Sequence, residues 1–151
     1  MGIGANTALF SLLHAVLLRP IPGVERSHEL VRIRRTQNAR VQSNQSYPDY
    51  LDYRDQAETL EGLVAERLIS LRLSGPPAQI VPGAIVTGNY FQVLGVKASV
   101  GRLLGPQDDR VPGGHPVVVL SHGFWQWQFG QDPMIVGRTL TLNGYPSVVR
   151  P

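Results

Sequence analysis

The four histidines are the first residues whose spacing can be tested for metal chemistry. They are His14, His28, His115 and His122, and no two of them have the i, i+4 or His-Glu-x-x-His spacing of a zinc site. None has a carboxylate beside it on a plausible shared face. The chain of 151 residues contains no cysteine, which excludes thiolate ligands, cysteine nucleophiles and disulfides. We therefore expect no metal site.

Ser121 and His122 are adjacent, and such a pair could supply the nucleophile and the base of a hydrolase. Neighbouring residues rarely point toward each other as a nucleophile–base hydrogen bond requires, and the Gly-x-Ser-x-Gly turn of many serine hydrolases is absent. Ser121 is also typical of a helix N-cap. We therefore interpret the pair as the start of a helix, with His122 in its first turn.

Short glycine spacings do not form a nucleotide site in this sequence. Gly2 and Gly4 have no strand before them and no third glycine at the spacing of a dinucleotide-binding turn. The stretches 101–105 and 130–137 lack the Gly-Lys-Ser/Thr of a phosphate-binding loop. We therefore expect no bound cofactor.

The acidic residues offer one more candidate for chemistry. Asp108 and Asp109 could be paired with Glu66 or Asp52 as the two carboxylates of an acid–base site. Asp108 and Asp109 stand in a stretch rich in proline and glycine, where solvated acids or a calcium-tolerant turn are the usual arrangement, and a calcium site needs more oxygen ligands at defined spacings. No catalytic constellation remains, and the sequence predicts that the protein is not an enzyme.

The N-terminal stretch 3–18 carries no charge and is apolar apart from four polar residues. A helix there would bring small and polar side chains together on one face: Gly4, Thr7, Ser11 and His14. Small and polar faces of this kind let membrane helices pack closely. Because the stretch ends abruptly at Arg19-Pro20, we predict a shortened membrane helix, although a full span needs roughly 20 residues. The alternative is a core helix of a soluble domain.

The rest of the chain alternates strand and helix patterns. Strands are predicted over 30–35, 60–73, 79–86 and 117–120, helices over 46–56, 89–95 and 122–129, and a polar, mobile loop over 36–45. Asn143-Gly144 predicts a β-hairpin turn, and Pro82-Gly83 indicates an edge strand or a bulge. This order predicts an α+β fold, a split βαβ (ferredoxin-like) unit followed by a helix and a β-hairpin.

The predicted helix 122–129 is unusually aromatic. Trp125 and Phe129 are one turn apart and share a face, whereas Trp127 lies on the opposite side. We expect Trp125 and Phe129 to anchor the helix to the strand 117–120. Trp127 would then remain at least partly exposed and is a candidate contact for a partner.

Composition and charge limit the class of protein. The hydrophobic fraction of 42% and the charged fraction of 17% are those of a globular chain, and the length suits one domain. The net charge is only +3, and Arg32, Arg34 and Arg35 form the only basic cluster. Nucleic-acid surfaces usually have a denser basic stripe, so we expect no nucleic-acid partner.

Four blocks of the sequence, in this order, resemble the periplasmic core domain of MacB-like ABC transporter permeases, the FtsX-like family. The first, GIGANTALFSLLHAVLLRPIPG at 2–23, resembles the end of the first transmembrane helix and its exit. The next two, SYPDYLDYRDQ at 46–56 and VTGNYFQVLGVKASVGRLLGPQDD at 86–109, resemble the first extracytoplasmic helix and the middle segment. The fourth is PVVVLSHGFWQWQFGQDPMIVGRTLTLNG at 116–144.

The resemblance implies that residues 1–20 are the C-terminal part of a transmembrane helix. Residues 21–151 would then be a porter-type periplasmic core domain, truncated at its C-terminus. Such a domain is non-catalytic and couples cytoplasmic ATP hydrolysis to movement outside the membrane, for export or mechanotransmission. The alternative is a small soluble α+β binding or interaction domain with its N-terminal helix in the core.

The resemblance also implies partners and a location. The partners would be a cytoplasmic ABC ATPase, a second permease copy in a dimer, and a periplasmic adaptor or substrate. The protein would lie in the bacterial inner membrane, with its main domain in the periplasm or outside the cell.

Overall fold

The computed structural model describes residues 23–37, 40–42, 45–111, 114 and 116–150. The strands are β1 (Arg35–Gln37), β2 (Arg40–Gln42), β3 (Glu66–Leu73), β4 (Gln79–Val86), β5 (Val117–Val118), β6 (Thr139–Leu142) and β7 (Tyr145–Val149). The helices are α1 (Tyr47–Gln56), α2 (Tyr90–Leu94) and α3 (His122–Phe129), with 3₁₀ turns at Ser27–Glu29, Pro106–Asp109 and Pro133–Ile135. The predicted α+β class is confirmed, while the predicted helix 3–18 lies outside the described residues.

Five strands form the main sheet, in the order β4-β3-β6-β7-β5. All neighbours are antiparallel except β5 and β7, which run parallel. Asn143 and Gly144 join β6 to β7 with φ angles of 52° and 85°, as a type I′ turn requires. The predicted hairpin is therefore confirmed. The two hairpins meet at one residue pair, Leu73 and Leu142.

The β3–β4 hairpin pairs all eight residues of each strand, from Glu66 with Val86 to Leu73 with Gln79. Because side chains alternate between the faces of a strand, its odd-numbered positions form an inner face that includes the buried residues Leu73 and Val81. β4 is an edge strand, which is where Pro82 fits.

The predicted strand 30–35 is not part of the sheet. Residues 30–34 form no strand, and a short hairpin of β1 and β2 begins at Arg35, the last residue of the predicted strand, and lies otherwise within the predicted loop 36–45. Leu30, Val31 and Ile33 are all exposed, at 38%, 72% and 46%. An alternating pattern describes an extended chain equally well when no neighbouring strand is present.

Strand β3 begins at Glu66 and not at Leu60, because the backbone of the preceding segment forms hydrogen bonds with residues outside the sheet. The Leu63 carbonyl accepts hydrogen bonds from the Tyr50 hydroxyl at 3.3 Å and from the Asn89 side-chain amide at 2.9 Å. These bonds join α1 and the start of α2 to the segment before β3, and Tyr50 is one of the buried residues.

Helix α1 begins as its sequence predicts. The Asp49 N–H donates to the Ser46 hydroxyl at 3.3 Å, and the Ser46 N–H donates to the Asp49 carboxylate at 3.0 Å, which is a capping box. Helix α2 ends at Gly95, whose φ of 66° is the left-handed conformation that glycine adopts readily.

The core of the described part is small. Its buried hydrophobic residues are Tyr50, Leu73, Val81, Ile135 and Val149. An open cleft, lined largely by apolar side chains, separates the inner sheet face from α2 and α3. In the same ranges, no helix is both long and apolar enough to cross a membrane.

Candidate functional site

Helix α3 holds its aromatic side chains between two well-formed ends. The Ser121 hydroxyl accepts a hydrogen bond from the Phe124 N–H at 3.3 Å, which confirms the predicted N-cap. Gly130 closes the helix in the left-handed conformation, with φ 58°. His122 stands in the first turn and lies edge-on to Trp125, with ring centroids 5.8 Å apart.

Trp127 projects from α3 toward solvent. Its side chain is 69% exposed, and its nearest described aromatic neighbour is Phe124, at 6.2 Å between ring centroids. The exposure follows the helical spacing that separates it from Trp125 and Phe129. Its role as a partner contact stays a prediction, but an exposed tryptophan on a capped helix suits one.

Trp125 and Phe129 are both half-buried. Their expected role in anchoring α3 to the strand 117–120 stays a prediction. The Trp125 indole N–H donates to the Asp132 carbonyl at 2.8 Å, which fastens the helix to the loop that follows it. Phe129 packs edge-on against Phe124 at 5.8 Å. The aromatic cluster is therefore mainly local to α3 and its exit.

Asp108 lies at the centre of an ion cluster. Its side chain is only 5% exposed. The carboxylate accepts hydrogen bonds from both terminal nitrogens of Arg102, at 3.0 and 3.2 Å, and from the Gly105 N–H at 2.9 Å. Arg150, which follows β7, pairs with the same carboxylate. The cluster thus joins the segment 102–108 to the residue that directly follows strand β7.

The expectation that Asp108 is a solvated acid is wrong. Burial of a carboxylate is costly unless opposite charges and hydrogen bonds compensate it, and here two guanidinium groups and a backbone N–H do so. Arg150 is 42 residues away in the sequence, so no local pattern indicates this pair. The arrangement is a structural clamp, because every oxygen of Asp108 is already engaged.

Asp109 has a different partner from its neighbour. Its carboxylate accepts a hydrogen bond from the Gly88 N–H at 3.1 Å, which holds the 3₁₀ turn against the loop before α2. This carboxylate also lies close to Tyr47, and burial followed by the charge of Asp109 raises the pKa of Tyr47. The two adjacent acids therefore serve two separate packing contacts.

We expect Gly88→Ala to destabilise the domain by about 1–3 kcal/mol, the usual cost of overpacking. A Cβ at position 88 would lie 2.7 Å from the Gly105 carbonyl oxygen and 3.1 Å from the Pro106 Cα, and backbone cannot move aside as a flexible side chain can. A urea titration of the purified chain measures the effect. Gly123→Ala is the matched control, because a Cβ there meets no atom within 4 Å. Unchanged stability in Gly88→Ala would contradict the close packing.

Glu66 is engaged with a tyrosine. Its carboxylate accepts a hydrogen bond from the Tyr90 hydroxyl at 2.7 Å, and Arg32 lies 3.9 Å away. Burial, the hydrogen bond and the charge of Glu66 raise the pKa of Tyr90 to about 12. Asp52, the remaining member of the proposed acid pairs, is exposed on α1.

The remaining candidate residues are the other three histidines and the predicted N-terminal helix face. His28 is exposed beside Glu29, while His14 and His115 lie outside the described residues. Within the described ranges, no three histidine, cysteine, aspartate or glutamate side chains come together as metal ligands would. The helix face of Gly4, Thr7, Ser11 and His14 also lies outside the described residues and stays a prediction.

Comparison with known proteins identifies a family. The model of the MacB-like periplasmic core domain matches residues 1–150. The crystal structure of the periplasmic region of MacB from Actinobacillus actinomycetemcomitans aligns with a TM-score of 0.60 and 24% sequence identity, over 71% of this chain and 49% of that chain. This chain therefore spans about half the length of that periplasmic region. No curated protein matches it. The structural likeness agrees with the predicted fold class.

Proposed function

Because the chain belongs to the family of MacB-like periplasmic core domains, we propose that it works as the extracytoplasmic domain of an ABC transporter permease. The observation that carries this proposal is the family match over residues 1–150, which includes both the apolar N-terminal stretch and the residues that the structure describes. The function is mechanical and not catalytic, so the residues that matter are those of packing and partner contacts.

In this proposal, ATP is hydrolysed in the cytoplasm by a separate ABC ATPase subunit or domain. Hydrolysis moves the transmembrane helices of two permease copies, and the extracytoplasmic domains follow. Movement outside the membrane then exports a substrate or passes a signal to a periplasmic adaptor. The exposed Trp127 supports such a contact, because large exposed aromatic side chains are frequent at the centres of protein interfaces.

The apolar stretch 3–18 would place this domain at the inner membrane. Its small and polar face, Gly4, Thr7, Ser11 and His14, would pack against a neighbouring transmembrane helix. Arg19 would then stand at the membrane surface, where long basic side chains reach the headgroups.

We expect the full chain, expressed in a bacterium, to sediment with the membranes and to resist alkaline extraction. A single charge within an apolar membrane segment costs about 2.5–3.5 kcal/mol at the helix centre, so Leu13→Arg should move most of the chain into the soluble fraction. Fractionation followed by immunoblotting measures the distribution.

Leu30→Arg is the matched control for this experiment, because it adds the same charge at an exposed leucine outside the stretch. It should leave the distribution unchanged. A full chain that is soluble, folded and unaffected by Leu13→Arg would contradict the membrane location and favour the small soluble interaction domain. Co-purification of an ABC ATPase from detergent-solubilised membranes tests the association with that partner separately.

A further inference from the structure

We propose that the cleft between the inner sheet face and helices α2 and α3 binds an amphipathic organic anion, a small molecule with an apolar chain or ring body and one carboxylate. The apolar walls of the cleft hold the body, and the guanidinium group of Arg150 holds the carboxylate. Binding at this site requires neither a membrane nor an ATPase, so the inference stands apart from the proposed function.

The cleft has the size of a ligand pocket. Its volume is about 820 Å³, and the pockets that proteins use for small molecules usually measure about 300–1,000 Å³. Its walls include Leu71 of β3, Leu140 of β6 and Phe124 of α3, all half-buried. Because no large side chain of the described part is fully buried, these walls still have apolar area to cover, and an apolar ligand body would remove that area from water.

Arg150 brings a positive charge to the wall of this apolar cleft. The residue directly follows β7, and its side chain is only 18% exposed. Its Nε atom is buried and has no hydrogen-bond partner within the described ranges. A buried N–H without an acceptor is costly, and a carboxylate is the acceptor that a guanidinium group binds most strongly. The position therefore favours a ligand that brings a carboxylate oxygen.

The charges of the ion cluster leave one positive charge over. The carboxylate of Asp108 pairs with both Arg102 and Arg150, so two guanidinium groups share a single negative charge. All three residues line the cleft. An anion bound beside Arg150 would balance the second guanidinium group, and a charge that is partly removed from water is stabilised by such a counter-charge.

Two further charged side chains lie on the cleft wall, and both have other partners. Lys97 forms an ion pair with Glu25 at 3.0 Å. Asp109 is exposed, and its carboxylate accepts the hydrogen bond from the Gly88 N–H. Water screens these exposed groups more strongly than it screens the buried cluster. The charge that a ligand meets inside the cleft is therefore that of Arg150.

The combination of walls and charge determines the class of ligand. A neutral apolar molecule would cover the walls but leave the Nε of Arg150 without an acceptor. A small inorganic anion would supply the acceptor but leave the walls in water. An amine would be repelled by the surplus positive charge. An amphipathic anion satisfies both requirements.

The test uses energy transfer from Trp125, which lines the cleft. The chain has two tryptophans, so Trp127→Phe leaves Trp125 as the single donor. The full chain in liposomes of neutral lipid is titrated with dansyl-undecanoate, a fluorescent fatty acid. We expect saturable transfer that unlabelled decanoate reverses, whereas decylamine at the same concentration should leave it unchanged.

Substitutions at Val100 test the role of charge. Val100 lines the cleft two residues before Arg102 and is 46% exposed, so a polar side chain is tolerated there. Val100→Glu should weaken binding of the probe about tenfold, because it places a second negative charge beside the carboxylate. Val100→Lys should retain the binding. Val31→Glu is the matched control, since Val31 is 72% exposed and is not part of the cleft wall, and it should bind as the unchanged chain does.

Three results would overturn the proposal in chains whose circular dichroism spectrum shows that they are folded. The first is the absence of saturable transfer, which would mean that the cleft takes up no such ligand. The second is displacement of the probe by decylamine as readily as by decanoate. The third is an equal loss of binding in Val100→Glu and Val100→Lys, since the charge of the ligand would then have no effect. The membrane fractionation described above has a different readout, so either proposal can fail while the other holds.

Discussion

Replacing Asp108 by alanine should unfold the domain or come close to it. The carboxylate is 95% buried and holds Arg102, Arg150 and the Gly105 N–H together, so its loss leaves two guanidinium groups without their counter-charge. Removing one partner of a buried ion pair costs about 3–5 kcal/mol. A domain of this size has roughly 5–15 kcal/mol in total, so this single change removes a large share.

Urea titration of the purified chain, followed by circular dichroism, measures this loss. Asp109→Ala is the matched control: the neighbouring side chain is exposed, and its carboxylate accepts a hydrogen bond from the Gly88 N–H and lies close to Tyr47, so its removal should cost only about 1–2 kcal/mol. Arg102→Ala should fall between the two, because the Arg102 side chain is 40% exposed and water can replace part of its role. A midpoint for Asp108→Ala close to that of the unchanged chain would show that the cluster does not stabilise the fold.

Local features of this fold could be predicted from the sequence because their causes are local. Ser46 and Ser121 cap helices through a backbone N–H three residues away, and Gly95 ends a helix by its own φ angle. The Asn143-Gly144 turn likewise depends on two residues that tolerate positive φ. In each case the residue type and its immediate neighbours determine the conformation.

Features that depend on distant residues could not be predicted in the same way. The Asp108–Arg150 pair and the Glu66–Tyr90 hydrogen bond join residues 42 and 24 positions apart. The strand expected over 30–35 failed for the same reason, since an extended segment becomes a strand only where a neighbour pairs with it. Asp108 and Asp109, which the sequence predicts as solvated loop residues, are therefore held by hydrogen bonds within the described part.

The outer face of the β3–β4 hairpin, formed by its even-numbered positions, shows what a strand pattern leaves open. The sequence predicts β3 and β4 from their β-branched and leucine-rich runs, but both faces of the hairpin carry apolar residues, so the buried side cannot be chosen from the pattern alone. The structure places Leu71, Leu73 and Val81 inside and leaves Leu68 and Ile80 exposed.

Helix α3 carries one half-buried and one exposed tryptophan, and truncation of the two should change the stability by different amounts. Trp125 is half-buried and donates its indole N–H to the Asp132 carbonyl, so Trp125→Ala should cost about 2–3 kcal/mol, below the roughly 3–5 kcal/mol of a fully buried aromatic. Trp127 is 69% exposed, so Trp127→Ala should change the stability by no more than about 0.5 kcal/mol.

Two further measurements separate packing from partner binding. Trp125→Phe keeps most of the ring but loses the indole hydrogen bond, and should cost about 1 kcal/mol by urea titration. Trp127→Ala should keep its folded circular dichroism spectrum and lose any partner that co-purifies with the full chain. An equal loss of stability in Trp125→Ala and Trp127→Ala would show that the two side chains share one environment, and that the assignment of helix faces is wrong.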